Sequence, residues 1–409
     1  MKLLSINTVA INTNAPADIM YKISAAASVG GYKSMICYGR RGVSPFQISH
    51  NQQDIRFYKF NTNIDVYAHA LYSRLGDSEG LHSRRATIRL INHICEFNPQ
   101  IIHLHNIHGH YLHYPLLFDF LKRCKIPIVW TLHDCWAYTG HCAYYSYSQC
   151  NAWKSDCKKC GYKRDYPQSY FISNSKKNLK LKKEYFSGVP NMHIVAVSDW
   201  LKNEIEESFL SDYPIHRIYN GVDTDVFKRV PTYQIDSREE KIILGVASQW
   251  DRRKGLDDFY ALSSLLPNDY KIHIVGYVPK TLIRNTDNII FLGKLSKNEL
   301  VEQYSKASIY VNASKEETFG MTTIEALSCE TPVIVNSLTA LPEVAGVYNN
   351  SNVCIIDTAD SNCLMNEIKR IVDRKINLSE REKLRQITDE KFSSTIMEQE
   401  YLNLYASLI

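Results

Sequence analysis

The stretch that decides the fold is Ala307–Asn336, with the sequence ASIYVNASKEETFGMTTIEALSCETPVIVN. It begins with an apolar run at Ala307–Val311 and ends with a second one at Pro332–Asn336. Between them, Gly320–Ser328 has the composition and spacing of a helix. Two nearly continuous apolar strands joined through a helix predict a β-α-β unit of a parallel sheet that helices cover on both faces.

The same alternation continues in both directions along the chain. Further apolar runs predict strands at Lys2–Val9, Ser34–Tyr38, Ile101–His105, Ile128–His133, His193–Val197, Lys241–Ala247, Lys271–Val275, Ile289–Leu292 and Val353–Asp357. Helix candidates lie between them at Ser83–Phe97, Asp199–Phe209, Leu256–Leu266 and Lys297–Tyr304. We therefore predict an α/β protein of two Rossmann-like domains in series. Because ligands of such sheets bind beyond the carboxyl ends of the strands, the working site is expected in the interdomain cleft.

The junction between the domains is predicted near Tyr219–Asp223, followed by the polar, proline-containing stretch Val230–Glu240. The last segment, Ser393–Ile409, has apolar residues at helical spacing, and we expect it to pack back on the first domain. The predicted boundaries are 1–219, 220–390 and 391–409, with a cysteine-rich insertion at about 135–165.

Composition and charge exclude several classes of protein. The chain has 409 residues, 44% hydrophobic and 22% charged, which excludes extensive disorder. Its formal net charge of +5 is too small to indicate a nucleic-acid partner. Met1–Ile11 fits a first buried strand better than a signal peptide, and no run of about 18 apolar residues is present. We expect a cytoplasmic protein, or one at the inner face of the cytoplasmic membrane.

Two carboxylates, Glu317 and Glu325, frame the start of the predicted helix in the deciding stretch. If Glu317 caps that helix, Glu325 lies two turns further on, about 12 Å away. A helix N-terminus between them binds anions through its unpaired amides. These amides belong to the region of Phe319, Gly320, Met321 and Thr322. The pair could hold the two ends of a nucleotide sugar around its diphosphate, or it could be a capping acid and an exposed helical residue.

A basic loop follows the strand at Lys241–Ala247 and contains Arg252, Arg253 and Lys254, ahead of Gly255. Fixed cations at such a position stabilise the charge that develops on the phosphates of a departing nucleoside diphosphate. The alternative interpretation is an ordinary solvated basic turn.

The whole string EETFGMTTIEALSCETPVIV resembles the donor-binding motif of the family-4 retaining glycosyltransferases, which have the GT-B fold. The resemblance covers almost the whole chain and is strongest from Asn220 to Glu343. It implies that Glu317 contacts the transferred sugar, that Glu325 contacts the ribose and that the intervening loop meets the phosphates.

The same resemblance extends to the basic loop and to the domain junction. Lys254 matches the phosphate-binding lysine of the family, whereas Gln249 stands where relatives often carry an arginine, so Arg252 or Arg253 is the candidate to compensate. Asn220–Asp223 matches the start of the second domain. The Asp-x-Asp sequence that begins at Asp223 is interpreted as structural, and no metal is expected in catalysis.

On the first domain, two histidine-rich stretches end predicted strands, at Ile102–His110 and Trp130–Trp136. The family places a histidine near the transferred sugar at the position of His133. Asn106, His108 and Asp134 are the further acceptor-side candidates. This block resembles a subgroup that makes bacterial exopolysaccharides of the colanic-acid type. The loop Asn12–Asp18 lacks the glycine that the subgroup carries there, which leaves its role open.

Four cysteines, Cys142, Cys150, Cys157 and Cys160, fall in one short stretch, and the last pair has the spacing of a metal knuckle. They could hold a structural zinc ion or be four free thiols. The basic segment Lys176–Phe186 could dock on anionic lipid or be a solvated helix face.

The predicted function is transfer of a hexosyl group, with retention, from a UDP- or GDP-sugar to a growing, lipid-linked bacterial surface glycan. Two alternatives stay open from the sequence: a nucleotide-sugar epimerase on the same fold and an inactive, zinc-stabilised binding protein. The base, the sugar and the acceptor are not encoded in any transferable pattern.

Overall fold

The computed structural model describes residues 1–11, 14–40, 55–158, 160–231, 240–374 and 378–409. These residues divide into two compact units, Met1–Tyr219 with Met397–Ile409, and Asn220–Ile396. Asn12 and Thr13 of the divergent loop, and most of the predicted linker Val230–Glu240, lie outside the described residues. No helix among the described residues is long and apolar enough to cross a membrane.

The first unit contains a seven-stranded parallel sheet in the order β3-β2-β1-β4-β5-β6-β7. Its strands are β1 (Lys2–Asn7), β2 (Lys33–Tyr38), β3 (Ile55–Lys59), β4 (Ile101–Leu104), β5 (Ile128–Leu132), β6 (Met192–Ala196) and β7 (Ile215–Arg217). Its first six helices are α1 (Ala15–Val29), α2 (Asn63–Gly76), α3 (Arg84–Phe97), α4 (Tyr114–Leu121), α5 (Ser175–Phe186) and α6 (Asp199–Glu206). Strands β4 and β5 are buried along their whole length, as expected for a parallel sheet covered on both faces.

The second unit contains a six-stranded parallel sheet in the order β10-β9-β8-β11-β12-β13. Its strands are β8 (Lys241–Gln249), β9 (Tyr270–Tyr277), β10 (Ile289–Gly293), β11 (Ile309–Asn312), β12 (Val333–Asn336) and β13 (Val353–Ile356). Its helices are α7 (Leu256–Ser263), α8 (Lys297–Lys306), α9 (Met321–Ser328), α10 (Leu341–Gly346), α11 (Ser361–Val372) and α12 (Leu378–Phe392). In both units the strand order reverses beside the first strand, which is the switch point where doubly wound sheets bind ligands.

The C-terminal helix α13 (Ser394–Leu408) returns to the first unit. Met397, Tyr401, Leu404 and Tyr405 are buried in a core cluster with Leu3 and other strand residues of that unit. The part of α13 that belongs to the first unit begins at Met397, whereas α12, which ends at Phe392, belongs to the second unit.

The structure contains elements that the apolar pattern did not predict. Strands β3 and β7 lie at the two edges of the first sheet, and all or most of their residues are only partly buried. An edge strand packs against one neighbour, so it does not need the continuous apolar run that marks a central parallel strand. Helix α2 was missed because its apolar residues are largely exposed.

Candidate active site

The loop between β11 and α9 carries Glu317 to the N-terminus of α9. The helix is capped by Gly320, which lies in the left-handed region at φ 100°. The expectation that Glu317 caps this helix is therefore wrong, because the first helical residue is Met321 and Glu317 precedes the cap by three positions. A side chain at Gly320 would lie 2.7 Å from Leu341, so glycine is favoured by both conformation and space.

Glu317 forms an ion pair with Lys254, which lies in the loop between β8 and α7. Only 16% of each side chain is exposed. The Lys254 amide donates to the Asp251 carboxylate at 2.9 Å, which fixes the turn that presents the lysine. The amide of Lys315 donates to the Arg253 carbonyl at 2.7 Å, which joins the two loops next to the pair.

Gly255 allows this approach of the two loops. It has φ 74°, and a Cβ atom there would lie 2.1 Å from the carbonyl oxygen of Ala313. The glycine that follows Lys254 is thus required by backbone conformation and by the close passage of the β11–α9 loop.

Burial and charge act in opposite directions on the ion pair. Burial would raise the pKa of Glu317, but Lys254 and Arg253 outweigh it and hold that pKa below its usual value. Burial lowers the pKa of Lys254, and Glu317 partly offsets this effect. The carboxylate is therefore kept ionised beside two cations.

The two arginines of the basic loop occupy different environments. Arg253 is half-buried and donates to the carbonyl oxygen of Glu316 at 3.0 Å. Arg252 is exposed. Of these two candidates, Arg253 is the one that the structure brings to Lys254 and Glu317.

Glu325 lies on the second turn of α9 and accepts a hydrogen bond from the Tyr304 hydroxyl at 3.0 Å. Tyr304 is fully buried, and its hydroxyl also lies 3.2 Å from the carbonyl oxygen of Thr322. The Tyr310 hydroxyl donates to the Thr322 side chain at 2.7 Å. Two tyrosines thus hold the first turns of α9 and orient Glu325.

The remaining predicted donor-side residues lie at the same helix end. Phe319 is buried and packs edge-on against Phe392. Met321 and Thr322 are the first two helical residues, so their amides have no partner within α9. The second unit therefore assembles two acids, a lysine and a helix N-terminus in one region, and the lysine and the helix N-terminus suit a phosphate group.

The acceptor-side candidates of the first unit surround one small cavity. Its volume is about 10 Å³, the lower limit of the space that one water molecule needs, and its lining includes Asn106, His108, His133 and Asp134. The Nε2 atom of His108 lies 2.8 Å from the Asp134 carboxylate, and burial leaves 5% and 8% of these side chains exposed. The Tyr166 hydroxyl lies 3.3 Å from the second ring nitrogen of His108.

His133 belongs to a chain of buried histidines. Its Nε2 atom lies 3.0 Å from Nδ1 of His105, and the two rings are stacked. The ring of His105 lies 4.0 Å from that of His103. His103 in turn bonds to the hydroxyls of Thr131 at 2.8 Å and of Tyr405 at 2.7 Å. Burial lowers the pKa of His133 to about 4 and that of His103 to about 3, so both rings are neutral at pH 7.

Two other candidate metal positions have local hydrogen-bonding roles. The Asp223 carboxylate accepts from the Val226 amide at 3.2 Å and so closes a turn. His69, Glu79 and His110 form the described group whose ligand atoms all lie within 4.8 Å of one another. There Glu79 accepts the amides of Gly109 and His110 at 2.8 Å each, which shapes the loop after β4.

Comparison with known proteins identifies the family. A model of "Glycosyltransferase Family 4" matches residues 35–226, and a model of "Glycosyl transferases group 1" matches residues 233–391. Together these matches span most of the chain. The chain is a family-4 glycosyltransferase.

Individual relatives agree with this assignment. The glycosyltransferase is 23% identical over 355 residues to WcaC of Escherichia coli K12, assigned to colanic acid biosynthesis, covering 84% of this chain and 85% of WcaC. It is 31% identical over 163 residues to the O-antigen chain mannosyltransferase RfbU of Salmonella typhimurium, covering 37% of this chain and 44% of RfbU. The epimerase and the inactive binding protein receive no support from these relatives.

Solved structures show the same fold. Sucrose-phosphate synthase from Thermosynechococcus elongatus has a TM-score of 0.71 at 15% identity, covering 100% of this chain and 98% of that one. HepE of Anabaena, in complex with UDP and glucose, has a TM-score of 0.69 at 15% identity and covers 100% of both chains. The glycosyltransferase has the GT-B fold.

Several residues of the glycosyltransferase were missed by sequence reasoning. His105, Tyr304 and Tyr310 each bond to a candidate residue or to the turn that carries it. Nothing in the spacing of the sequence separates Tyr304 and Tyr310 from ordinary core residues. The one available signal was the alternation of His103, His105 and His133 along the ends of two adjacent strands.

Proposed function

We propose that this glycosyltransferase transfers a hexosyl group from a UDP- or GDP-sugar to a glycan hydroxyl, with retention at the anomeric carbon. The observation that carries the proposal is the ion pair between Lys254 and Glu317 beside the N-terminus of α9. This arrangement offers a cation and helix amides for a diphosphate, and a carboxylate for sugar hydroxyls. Retention rests on the family resemblance.

On the donor side, Glu317 orients the sugar and Glu325 binds the ribose hydroxyls. Lys254 and the amides of Met321 and Thr322 stabilise the diphosphate as the glycosidic bond breaks, because its negative charge grows at that moment. Arg253 adds a second cation next to Lys254. We assign no catalytic role to a metal ion.

On the acceptor side, His133 contacts the transferred sugar, and Asn106, His108 and Asp134 bind the acceptor. His133 is neutral at pH 7, because burial lowers its pKa to about 4. A neutral imidazole can accept a hydrogen bond from a sugar hydroxyl or donate one to it. We propose that the acceptor attacks on the face that the diphosphate leaves, with a phosphate oxygen receiving its proton.

The acceptor is proposed to be a growing bacterial surface polysaccharide carried on a lipid. The support comes from the names of the relatives, which refer to colanic acid and to the O-antigen chain. A lipid-linked acceptor requires an enzyme that works at a membrane surface. We accordingly propose that the protein acts in the cytoplasm, at the inner face of the cytoplasmic membrane.

A surface of the first unit supports this placement. Helix α2 exposes an apolar stripe at helical spacing, which we call the α2 stripe: Ile64, Tyr67, Leu71 and Leu75. Ile64 is 81% and Tyr67 73% exposed. The end of α2 is joined to the segment that precedes α5, since the Tyr170 amide donates to the Arg74 carbonyl at 2.8 Å.

That segment exposes further apolar residues next to a basic helix. Phe171 is 71% exposed and is followed by exposed Ile172. Four exposed lysines of α5 then line a cavity of about 700 Å³: Lys176, Lys177, Lys180 and Lys183. Apolar side chains beside a row of lysines fit an anionic bilayer surface, where the former insert and the latter bind lipid phosphates.

The donor proposal is tested by calorimetry with a panel of UDP- and GDP-sugars on the wild type and on Glu325→Ala. One donor class should bind, and the substitution should weaken it by about 1–3 kcal/mol through the lost ribose contact. Glu382→Ala, which removes an exposed acid of the same unit, is the matched control and should bind as the wild type does. If the donor binds Glu325→Ala as tightly as it binds Glu382→Ala, the assignment of Glu325 to the ribose is contradicted.

The membrane proposal is tested by sedimentation with phosphatidylcholine vesicles that contain or lack phosphatidylglycerol. Binding should require the anionic lipid and should fall in a Lys177, Lys180, Lys183→Gln variant and in Phe171→Ser. Replacement of Lys294, an exposed lysine of the second unit, should leave it unchanged. Equal binding to vesicles with and without phosphatidylglycerol would contradict the proposed membrane contact.

A further inference from the structure

The segment Thr139–Cys160 has four cysteines but little regular structure. Its ordered elements are two single turns of 3-10 helix, Ser146–Ser148 and Ala152–Lys154. All four cysteines are free thiols. Small loop-rich regions are commonly stabilised by a disulfide or a metal ion.

One direct contact and several longer-range electrostatic interactions connect the four thiols. The thiol of Cys142 is in hydrogen-bonding contact with that of Cys160, and it lies within electrostatic range of Cys150 and Cys157. Cys157 in turn lies within range of Cys150 and Cys160. Cys142 and Cys157 are buried, whereas Cys150 and Cys160 are partly exposed.

One backbone amide is directed at the sulfur of Cys157. The Gly140 amide donates to the Cys157 sulfur at 3.3 Å. A Cβ atom at Gly140 would lie 2.8 Å from the Cβ atom of Cys157, so the two segments are in direct contact. Amide-to-sulfur hydrogen bonds are favourable mainly when the sulfur carries negative charge.

Two buried polar side chains next to the thiols match a negatively charged centre. Lys182 is 1% exposed and lies within electrostatic range of Cys157 and Cys142. Its ammonium donates to the carbonyls of Trp136 at 2.6 Å and Thr139 at 3.0 Å. Such a cation is costly to bury unless negative charge lies near it.

The second side chain is His141, which is 3% exposed and lies within electrostatic range of Cys160. Its Nδ1 atom bonds to the Asp77 carboxylate at 2.6 Å, while its Nε2 atom is buried without a hydrogen-bond partner among the described residues. A carboxylate-held imidazole next to a ligand is a common outer-shell arrangement in metal sites, where its free N–H donates to the ligand.

We propose that Cys142, Cys150, Cys157 and Cys160 bind one zinc ion as a structural site. Four thiolates around Zn²⁺ carry a net charge of −2, which the ammonium of Lys182 and the imidazole of His141 complement. The set leaves no open coordination position, so the ion has no catalytic role. Binding releases the protons of the thiols.

Zinc binding requires the sulfurs to come closer together than they lie in the structure. Four sulfurs at about 2.3 Å from a tetrahedral ion lie about 3.8 Å apart. Among the described residues, no three of these sulfurs all lie within 4.8 Å of one another. Cys142 and Cys160 are already in contact, so the proposal requires Cys150 and Cys157 to move toward this pair when zinc binds.

The rival group of His69, Glu79 and His110 is less suited to an ion. The Nδ1 atom of His69 is bonded to Ser83 at 2.9 Å, and its Nε2 atom accepts from the Gly80 amide at 3.2 Å. Both ring nitrogens of His69 are therefore already hydrogen-bonded within the protein.

A zinc ion in this place would fix the acceptor-side loop. The Cys135 amide donates to the Ala143 carbonyl at 3.0 Å, and the Ala143 amide donates to the Tyr166 carbonyl at 3.1 Å. Tyr166 bonds to His108 through its hydroxyl. Ala143, which follows Cys142, thus connects the segment through Tyr166 to His108. Through Cys135 it also connects the segment to the neighbouring Asp134.

The test is the metal content of the full chain, purified under reducing conditions from cells supplied with zinc. We expect about one zinc per chain, lost from a Cys142→Ser, Cys160→Ser double variant and kept by Cys95→Ser, Cys363→Ser, in which cysteines outside the segment are replaced. Zinc absent from the wild type, or retained by the first double variant, overturns the proposal.

A spectroscopic readout covers the case in which the first double variant does not fold. Cobalt is exchanged into the wild-type protein, and thiolate ligands then produce an intense charge-transfer absorption, whereas histidine and carboxylate ligands do not. The intense band supports the cysteine site. Its absence from the stoichiometrically loaded protein places the ion elsewhere and overturns the proposal.

Discussion

Lys254 and Glu317 form a largely buried ion pair although they are 63 positions apart in the sequence. The sequence motifs assign them to different parts of the donor, the lysine to phosphate and the glutamate to sugar. In the structure each is the other's partner. A donor must therefore share or replace this contact, so the two residues should respond to it as a unit.

Replacement of Lys254 is predicted to affect both catalysis and stability. Lys254→Ala removes a cation from the leaving group, and turnover should fall by about 10²–10³-fold. It also leaves Glu317 buried without its closest cation, which should cost about 1–3 kcal/mol in the free energy of unfolding. Steady-state kinetics and urea unfolding measure the two effects.

The control is Lys294→Ala, which removes an exposed lysine of the same unit and should change neither quantity. A double variant, Lys254→Ala with Glu317→Gln, should regain part of the lost stability, because no unpaired buried carboxylate remains. Full additivity of the two substitutions would argue against the coupling.

Tyr304 is predicted to orient Glu325 rather than to bind the donor itself. Tyr304→Phe removes the hydroxyl that donates to Glu325 and should weaken donor binding by less than Glu325→Ala does, by about 0.5–1.5 kcal/mol. In the Glu325→Ala background the same substitution should have no further effect on binding. Calorimetry on the four proteins checks this, and equal losses in both backgrounds would show that Tyr304 acts independently.

Gly255 is predicted to be intolerant of any side chain. Gly255→Ala places a Cβ atom 2.1 Å from the Ala313 carbonyl at a positive φ, which should cost about 2–4 kcal/mol of stability. Gly346→Ala is the matched control, because a Cβ there meets nothing within 4 Å. Thermal unfolding measures the stability of both variants. A Gly255→Ala variant as stable as the control would contradict the close approach of Gly255 to Ala313.

The buried histidines predict a loss of stability on mild acidification. Burial lowers the pKa of His103 to about 3 and that of His133 to about 4, whereas an unfolded histidine titrates near 6.5. Between about pH 6.5 and 4 the unfolded chain binds more protons, so unfolding becomes more favourable as the pH falls. Each such histidine contributes up to about 1.4 kcal/mol per pH unit.

Urea unfolding at pH 7 and pH 5 measures this effect. His103→Asn should lower stability at pH 7, since two hydrogen bonds are lost, but should reduce the difference between the two pH values. An unchanged difference would mean that His103 is already protonated in the folded protein or that it does not control the acid response.

The central strands and the Rossmann-like architecture could be predicted because buried parallel strands have continuous runs of apolar residues in the sequence. The boundaries of β4, β5 and β12 differ from the predicted runs by one residue. Edge strand β7 could not be predicted, because three partly buried residues carry no such pattern. Local apolar content therefore revealed the edge strands β10 and β13 of the second sheet but not the edge strands β3 and β7 of the first.

The candidate site was only partly accessible from the sequence. Glu317, Glu325 and Lys254 were found because they belong to a recognisable string. The pairing of Lys254 with Glu317 and the bond from Tyr304 to Glu325 depend on strand order, which places β8 next to β11. The left-handed cap at Gly320 was missed because a capping acid at Glu317 was the simpler interpretation.

The return of α13 to the first unit has a consequence for biosynthesis. Tyr401 and Tyr405 close the core beneath β4 and β5, and their hydroxyls bond to Thr131 and His103. A ribosome synthesises these tyrosines only after it has made the entire second unit. The first unit therefore stays incompletely packed until α13 has been made, and a chain terminated upstream of Met397 lacks residues that complete the core of its first unit.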